Sequence, residues 1–593
     1  MMRRAKTLSL RKIPRSWKNI IPDLCQTIGG SMNDLTRLAI HDSDGIECMI
    51  GHATNPSQLG IISNLTRLTL SKVKHLKTLH GGHPPHGLFA NLERLCIESC
   101  DSLEHILTED VKEIVDGSEY QNYENAFPKL KELKIGNCKQ LEYLMPISFT
   151  KSLSHLEYLR VYGNDELRSL FGQAPYEGLN LNSPQIIEFS ALKYLQLENM
   201  QNIISICPKN YHPTWPSLEE LGLRNCLRFN IKSINHCDVY DELRQEGDQR
   251  SSEDLLKVVV APLETLEDLF IRHNDEVEVV FDVGKLPINR QQVNLRLNNL
   301  NLRDLPKLRH IWRGPKNSLL LQHLQRLNLS NCGNLKEVFP SCILKELPQL
   351  RELDITDCNE LEEIIEEDDH NVSTSPKPVF LRLVSIYIKR CHKLKCVFPK
   401  IFACRLIPNI KVLYIEDTSA LKQVFGDEQH DTTHTYEAAT PVLELEYVVL
   451  WNLPSLTSVN PSTAFQTARH IIVQRCPKLS LTSSVTPQEM RDKLLEGFCW
   501  EYEGLWRGLS DIIASTNDSD REITQQIGCQ EIGDQRNDQG LTSITSSNLK
   551  QNVEGAEECT ISENVQISTS LAHSEPESST KVNLTILLYY ILH

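Results

Sequence analysis

Seven cysteines stand at one recurring place in this chain. Cys100, Cys138, Cys226, Cys332, Cys358, Cys391 and Cys476 each follow an apolar–x–apolar–x–x stretch. Thiolates bind metals, attack electrophiles or pair as disulfides, so a repeated cysteine is where chemistry would first be sought. The pattern argues against all three. No Cys-x-x-Cys occurs, and cysteines brought together by stacking would carry parallel Cα–Cβ bonds, the wrong approach for a disulfide. Other copies put Asn164, Asn274, Thr418 or Ser43 at the same place, or an apolar Val73, Met200, Leu305 or Leu453. The polar residues of this set are small and can hydrogen-bond. A buried turn needs such a side chain to satisfy its backbone groups. The expectation is a set of structural thiols.

The remaining chemistry-bearing groups are near-misses. His80, His83 and His86 lie in "HGGHPPH", and His430 and His434 in "HDTTH". A zinc-protease helix would place a glutamate beside the first histidine, and both stretches read instead as solvated loops. In "GGHPPHGLF", Gly82 and Gly87 have phosphate-loop spacing, but Leu88 and Phe89 stand where Lys and Ser/Thr must hold phosphate and magnesium. The acidic run from Glu362 to His370 lacks calcium-loop spacing and its turn glycine. No Gly-x-Ser-x-Gly elbow is present. The expectation is a non-enzyme with no metal and no cofactor.

What positions the cysteines is a repeated frame: Leu, two residues, Leu, one residue, Leu or Ile, two residues, then the cysteine position. It begins at Leu35, Leu65, Leu92, Leu130, Leu156, Leu192, Leu218, Leu266, Leu297, Leu324, Leu350, Leu383, Ile410, Leu445 and Ala468, with a weaker copy at Ala5. The commonest step is 26 or 27 residues, and frame and period are similar to the leucine-rich repeat. In "LERLCIESC", Leu95 and Ile97 share one side of a short strand, while Arg94, Cys96 and Glu98 share the other. One such strand cannot bury its apolar side alone, whereas parallel stacking at about 4.8 Å builds a continuous core. The expected fold is an α/β repeat, a leucine-rich-repeat solenoid or horseshoe. It carries a parallel concave sheet, with irregular or short helical segments returning along the outside.

Composition bounds the rest. The 593 residues carry a formal charge of −16, contrary to the clustered Lys and Arg of a nucleic-acid binder. No apolar run reaches the roughly 18–20 residues of a bilayer span. The basic opening "MMRRAKTLSLRKIPRSWKN" has no apolar region behind it and does not read as a secretory signal. The 18 cysteines are then expected in a reducing compartment, the cytoplasm. Three regions follow: a solenoid over 1–482, a Trp-containing closing segment over 483–515, and a polar tail over 516–593, read as disordered.

Some copies carry words beyond the generic repeat. "NLRDLPKLRHIW" (301–312) is followed by "LQHLQRLNLSNCGNLKEVFP" (321–340) and "LPQLRELDITDCNELEEIIEED" (347–368). After a polar loop comes "PVFLRLVSIYIKRCHKLKCVFP" (378–399). This order resembles the repeat region of plant disease-resistance proteins of the coiled-coil, nucleotide-binding, leucine-rich-repeat class, over roughly residues 1–515. The segment "FCWEYEGLWRGLSDII" (498–513) is similar to the Trp-containing segment that closes such arrays. The family's coiled coil and nucleotide-binding switch have no counterpart here. The resemblance therefore implies a sensor region without its motor, as a truncated, partial or stand-alone form.

By alternation, the third, fifth and seventh frame positions face the concave side. Several copies put aromatic or basic residues there: Tyr158, Arg160, Tyr162, Tyr194, Phe270 and Arg272, then Tyr387, Lys389, Tyr414, Tyr447 and Trp451. Such residues most often carry binding energy at protein interfaces. The expectation is a protein-docking face, with Tyr387 to Trp451 as the favoured patch. Its partner would be a pathogen effector, a guarded host protein, or a nucleotide-binding switch in cis or trans. The alternative is a leucine-rich-repeat scaffold or ubiquitin-ligase substrate receptor outside immunity.

Overall fold

A computed structural model describes residues 5–28, 34–51, 63–80, 89–107, 126–173, 185–231, 264–282, 293–314, 319–340, 347–365, 380–398, 409–426, 445–459, 468–496, 502 and 504–514. Each of the sixteen frame copies supplies one strand, from Thr7–Arg11 to His470–Gln474, and all sixteen pair in sequence order into one parallel sheet. The register is copy on copy. Leu327 lies beside Leu353, which lies beside Ile386, then Leu413 and Val448. Equal frame positions therefore stack as columns that run the length of the sheet.

Alternation decides burial as the frame requires. In Arg94–Glu98, Leu95 and Ile97 are buried while the residues between them are exposed or half-buried. The inward columns join one continuous apolar core from Ile13 to Cys476. The return limbs, expected as irregular or short helical segments, include several short parallel strands. One outer sheet orders Glu337–Phe339, Glu363–Ile365, Cys396–Phe398 and Gln423–Phe425. Buried aromatics of the return limbs stack coil on coil, as in Phe398 on Phe425 at 5.4 Å and Phe189 on Trp215 at 5.0 Å. Near-parallel rings at these distances pack favourably, and they add to the apolar contacts between successive return limbs.

Each strand leaves the sheet through a residue with positive φ at the eighth frame position, among them Asn137, Asn225, Asp304, Asn331, Asp357 and Asn452. Asn and Asp tolerate this left-handed backbone where a branched residue would not. The turned amide still donates to the next strand, as Asn331 N does to Thr356 O at 2.9 Å. The side chains form an edge ladder too: Asn331 Nδ2 donates to Asp304 Oδ1 and Asn452 Nδ2 to Asp417 Oδ1, both at 2.7 Å.

The ninth position then turns inward. The Cys226 thiol donates to the Leu197 and Arg224 carbonyls at 3.4 and 3.5 Å, and Cys476 to Leu450 and Gln474 at 3.5 and 3.3 Å. Asparagine does more at the same place. Asn274 Nδ2 donates to the Cys226 and Phe229 carbonyls, while its Oδ1 accepts from the Glu276 and Val277 amides, all within 2.8–3.0 Å. The cysteines whose side chains are described, from Cys48 to Cys476, are free thiols.

Candidate functional site

The solvent face of the sheet falls into two stretches. From Thr7–Arg11 to Glu352–Thr356 the outward residues at the third, fifth and seventh frame positions are exposed or half-buried, save Gly136, which lies beneath a tyrosine ring. Tyr158 and Tyr194 sit on neighbouring strands with rings 6.3 Å apart, and the Tyr158 hydroxyl donates to Gln196 Oε1 at 2.9 Å. Arg160 lies over the Tyr162 ring at 5.0 Å and pairs with Glu198 at 3.2 Å. Lys134 covers Tyr158 from the other side at 5.2 Å. The Tyr162 ring occupies the place that a side chain at Gly136 would fill. Burial, then the Glu98 carboxylate, pushes its hydroxyl up to about 12. Phe270 stands beside Gly222 in register, and a Cβ on Gly222 would meet only Gln196 at 3.6 Å. The glycine thus leaves a notch beside the half-buried Phe270 ring, with Arg272 two residues on.

The second stretch is closed. Tyr387, Tyr414, Tyr447 and Trp451 are only 4%, 2%, 8% and 4% exposed. This corrects the expectation that they form an open patch. Their side chains do point away from the core, but the chain's own closing segment lies on them. Met490 and Leu494 from the helix Pro487–Glu496 are buried there with Tyr502 and with Leu505, Leu509 and Ile512 from a helix over 504–514. Lys389 pairs with Glu416 on the next strand at 3.1 Å and with Asp511 of the segment at 3.0 Å. Tyr414 donates to Glu416. Burial raises the tyrosine hydroxyls of Tyr387 and Tyr414 well above their ordinary range, with Glu352 adding to the first and Glu416 to the second.

Among the described residues no group of three or more His, Cys, Asp or Glu is placed to hold a metal. His80 ends the short strand Thr78–His80 and is buried. His83, His86, His430, His434, Gly82, Gly87, the end of the acidic run and the 516–593 tail lie outside the described residues. Frame reading missed the left-handed eighth position, although recurring Asn, Asp and Gly163 signalled it. It also missed the closing helix as an occupant of the sheet. That signal lay in "GLWRGLSDII", where Gly504 and Gly508 are four apart and Leu505, Leu509 and Ile512 follow helical spacing.

Sequence comparison assigns this array to a family. The model for plant disease resistance protein RPS2-like leucine-rich repeats matches residues 106–245, 250–359 and 360–495, and the chain belongs to that family. The disease resistance protein UNI of Arabidopsis thaliana is 30% identical over 169 residues, which are 27% of this chain and 18% of that protein. A probable disease resistance protein of the same plant, At1g61300, is 35% identical over 107 residues, 18% of this chain and 13% of its own length. The match thus spans less than a fifth of either relative. Among solved structures, the leucine-rich-repeat ectodomain of the Arabidopsis thaliana receptor kinase GASSHO1/SCHENGEN3 aligns over 81% of this chain and 67% of its own. The identity is 13% and the TM-score 0.18.

Proposed function

We propose that the chain is a protein-recognition module of plant innate immunity, acting in the cytoplasm. Its open solvent face takes a pathogen effector or a guarded host protein, and a nucleotide-binding switch, in cis or trans, reads the outcome. The observation that carries this reading is the aromatic and ionic lattice of Tyr158, Arg160, Tyr162 and Tyr194, continued by Phe270 and Arg272, on the uncovered part of a resistance-family sheet. Tyr158, Arg160, Tyr162 and Tyr194 are already held by their neighbours, so docking there costs less ordering entropy than loose side chains would. The acidic charge of −16 disfavours a nucleic-acid partner. Among the described residues no helix is long and apolar enough to cross a membrane. The free thiols match a reducing compartment.

The test is affinity capture from infected and uninfected leaf extract. The baits are the full chain and its Tyr158→Ala/Tyr162→Ala/Phe270→Ala variant, matched for circular dichroism and melting temperature. A defined protein should be held by the first and lost by the second. Equal retention by both, or none by either, would overturn the reading.

A further inference from the structure

The closing segment makes its own apolar cluster with the outward residues Tyr387, Val412, Tyr414, Tyr447, Val449, Trp451 and Ile472. That cluster shares no residue with the solenoid core, whose members on the same strands are the alternate ones, such as Ile386, Ile388, Leu413 and Ile415. Strand alternation is what separates them. The helix over 504–514 can therefore leave the sheet without opening the core beneath it.

Its fit is also specific. A Cβ on Gly504 would lie 2.8 Å from Tyr387 Cε2, and one on Gly508 would lie 2.5 Å from Tyr414 Cζ. Four residues of α-helix rise about 6 Å, and the two tyrosine rings are 6.3 Å apart. Successive rings of the sheet thus meet successive small positions of the helix. Glycine is among the poorest helix formers, and here the missing side chains are what let the helix lie on the rings. Leu505, Leu509 and Ile512 flank this contact and are buried, and Asp511 reaches Lys389 at 3.0 Å.

We propose that the outward strip from Tyr387 to Trp451 is a binding site for an amphipathic helix, which the chain fills in cis. When its own helix is displaced, the strip takes the same helix from a second copy of the chain. That helix carries two small residues four apart, aliphatic residues beside each, and a carboxylate one turn further on to pair with Lys389.

The experiment uses the full chain with a specific protease site inserted within residues 477–482, cut after folding, and a fluorescent peptide of residues 485–514. The uncut chain should ignore the peptide. The cut chain should exchange its own segment for it at one to one, and a Gly504→Leu/Gly508→Leu peptide should bind at least tenfold more weakly. Equal binding by cut and uncut chains, failure of the folded cut chain to bind, or indifference to the leucines would overturn the site. A Leu505→Asp/Leu509→Asp full chain supplies the control for separability. Hydrogen exchange at the amides of Ile388 and Ile415 should stay slow while the 504–514 amides become fast. Unfolding of the solenoid in that variant would show the segment to be part of the core and sink the proposal.

Discussion

At the scale of single residues, the ninth frame position trades thiols for amides without loss of fold. Cys358 is fully buried and its thiol donates to the Thr356 carbonyl at 3.5 Å. Asn164 and Asn274 already hold the same place with shorter bonds. Cys358→Asn should therefore change stability by no more than about 1–2 kcal/mol in denaturant unfolding, the range of one altered buried hydrogen bond. Larger loss would mean that the thiol does work the stack of carbonyls does not reveal. Burial pushes Cys100 up to about 11 and Cys138 and Cys226 up to about 12. The reactive species is the thiolate, so at pH 8 iodoacetamide should label these three far more slowly in the native than in the unfolded chain, read by mass spectrometry. Folding favours the neutral thiol. Its contribution to stability is complete below the unfolded thiol range near 8.5 and falls away as pH climbs toward the folded values. The eighth position has the opposite tolerance. Asn331, with φ of 53°, should accept glycine nearly freely, whereas valine should cost about 1–2 kcal/mol for the left-handed backbone, measured in the same way.

At the scale of elements, the helix Pro487–Glu496 starts on a reciprocal cap. The Thr486 amide donates to Glu489 Oε2 at 2.8 Å, and the Glu489 amide to Thr486 Oγ1 at 3.2 Å. Thr486→Ala should cost about 1 kcal/mol, the ordinary worth of such a cap. It should appear as faster exchange of the 487–496 amides with the sheet unaffected. Sequence pattern alone placed the strands well. The two-residue period within each frame marked Leu95 and Ile97 as buried, and one strand stands at every copy. The return limbs were not legible, because strands such as Glu337–Phe339 are too short to show a period. Nor was the closed patch, for alternation tells which side Tyr414 faces but not what lies on it. The contact that closes it, Lys389 to Asp511, spans 122 positions, and no local pattern encodes a pairing at that distance.

At the scale of the whole molecule, stability is a chain of neighbour contacts. Leu353 is fully buried between Leu327 and Ile386 in its column. Leu353→Asp would put an unpaired charge there at a cost of several kcal/mol. In a stack whose coils touch only their neighbours, the damage should stay close. Hydrogen exchange should rise in the strands Arg326–Ser330, Glu352–Thr356 and Ser385–Lys389 and remain slow at Arg94–Glu98. Uniform acceleration across the sheet would show a cooperative unit larger than the coil.

The zero-offset register also bears on how such a chain can change by recombination. Because every copy meets the next through the same columns, the coil before a given copy and the coil after it present matching surfaces. Unequal crossing-over that removed residues 324–349 would bring the Asn299–Arg303 strand against Glu352–Thr356, with Leu300 beside Leu353 and Leu302 beside Ile355 in place of the present Leu327 and Leu329. The reading frame of the fold would be preserved, and everything downstream would slide by one strand spacing, about 4.8 Å. A gain or loss of one copy can thus redraw the distance between the open lattice at Tyr158 and the helix-covered strip at Tyr387 while leaving both intact.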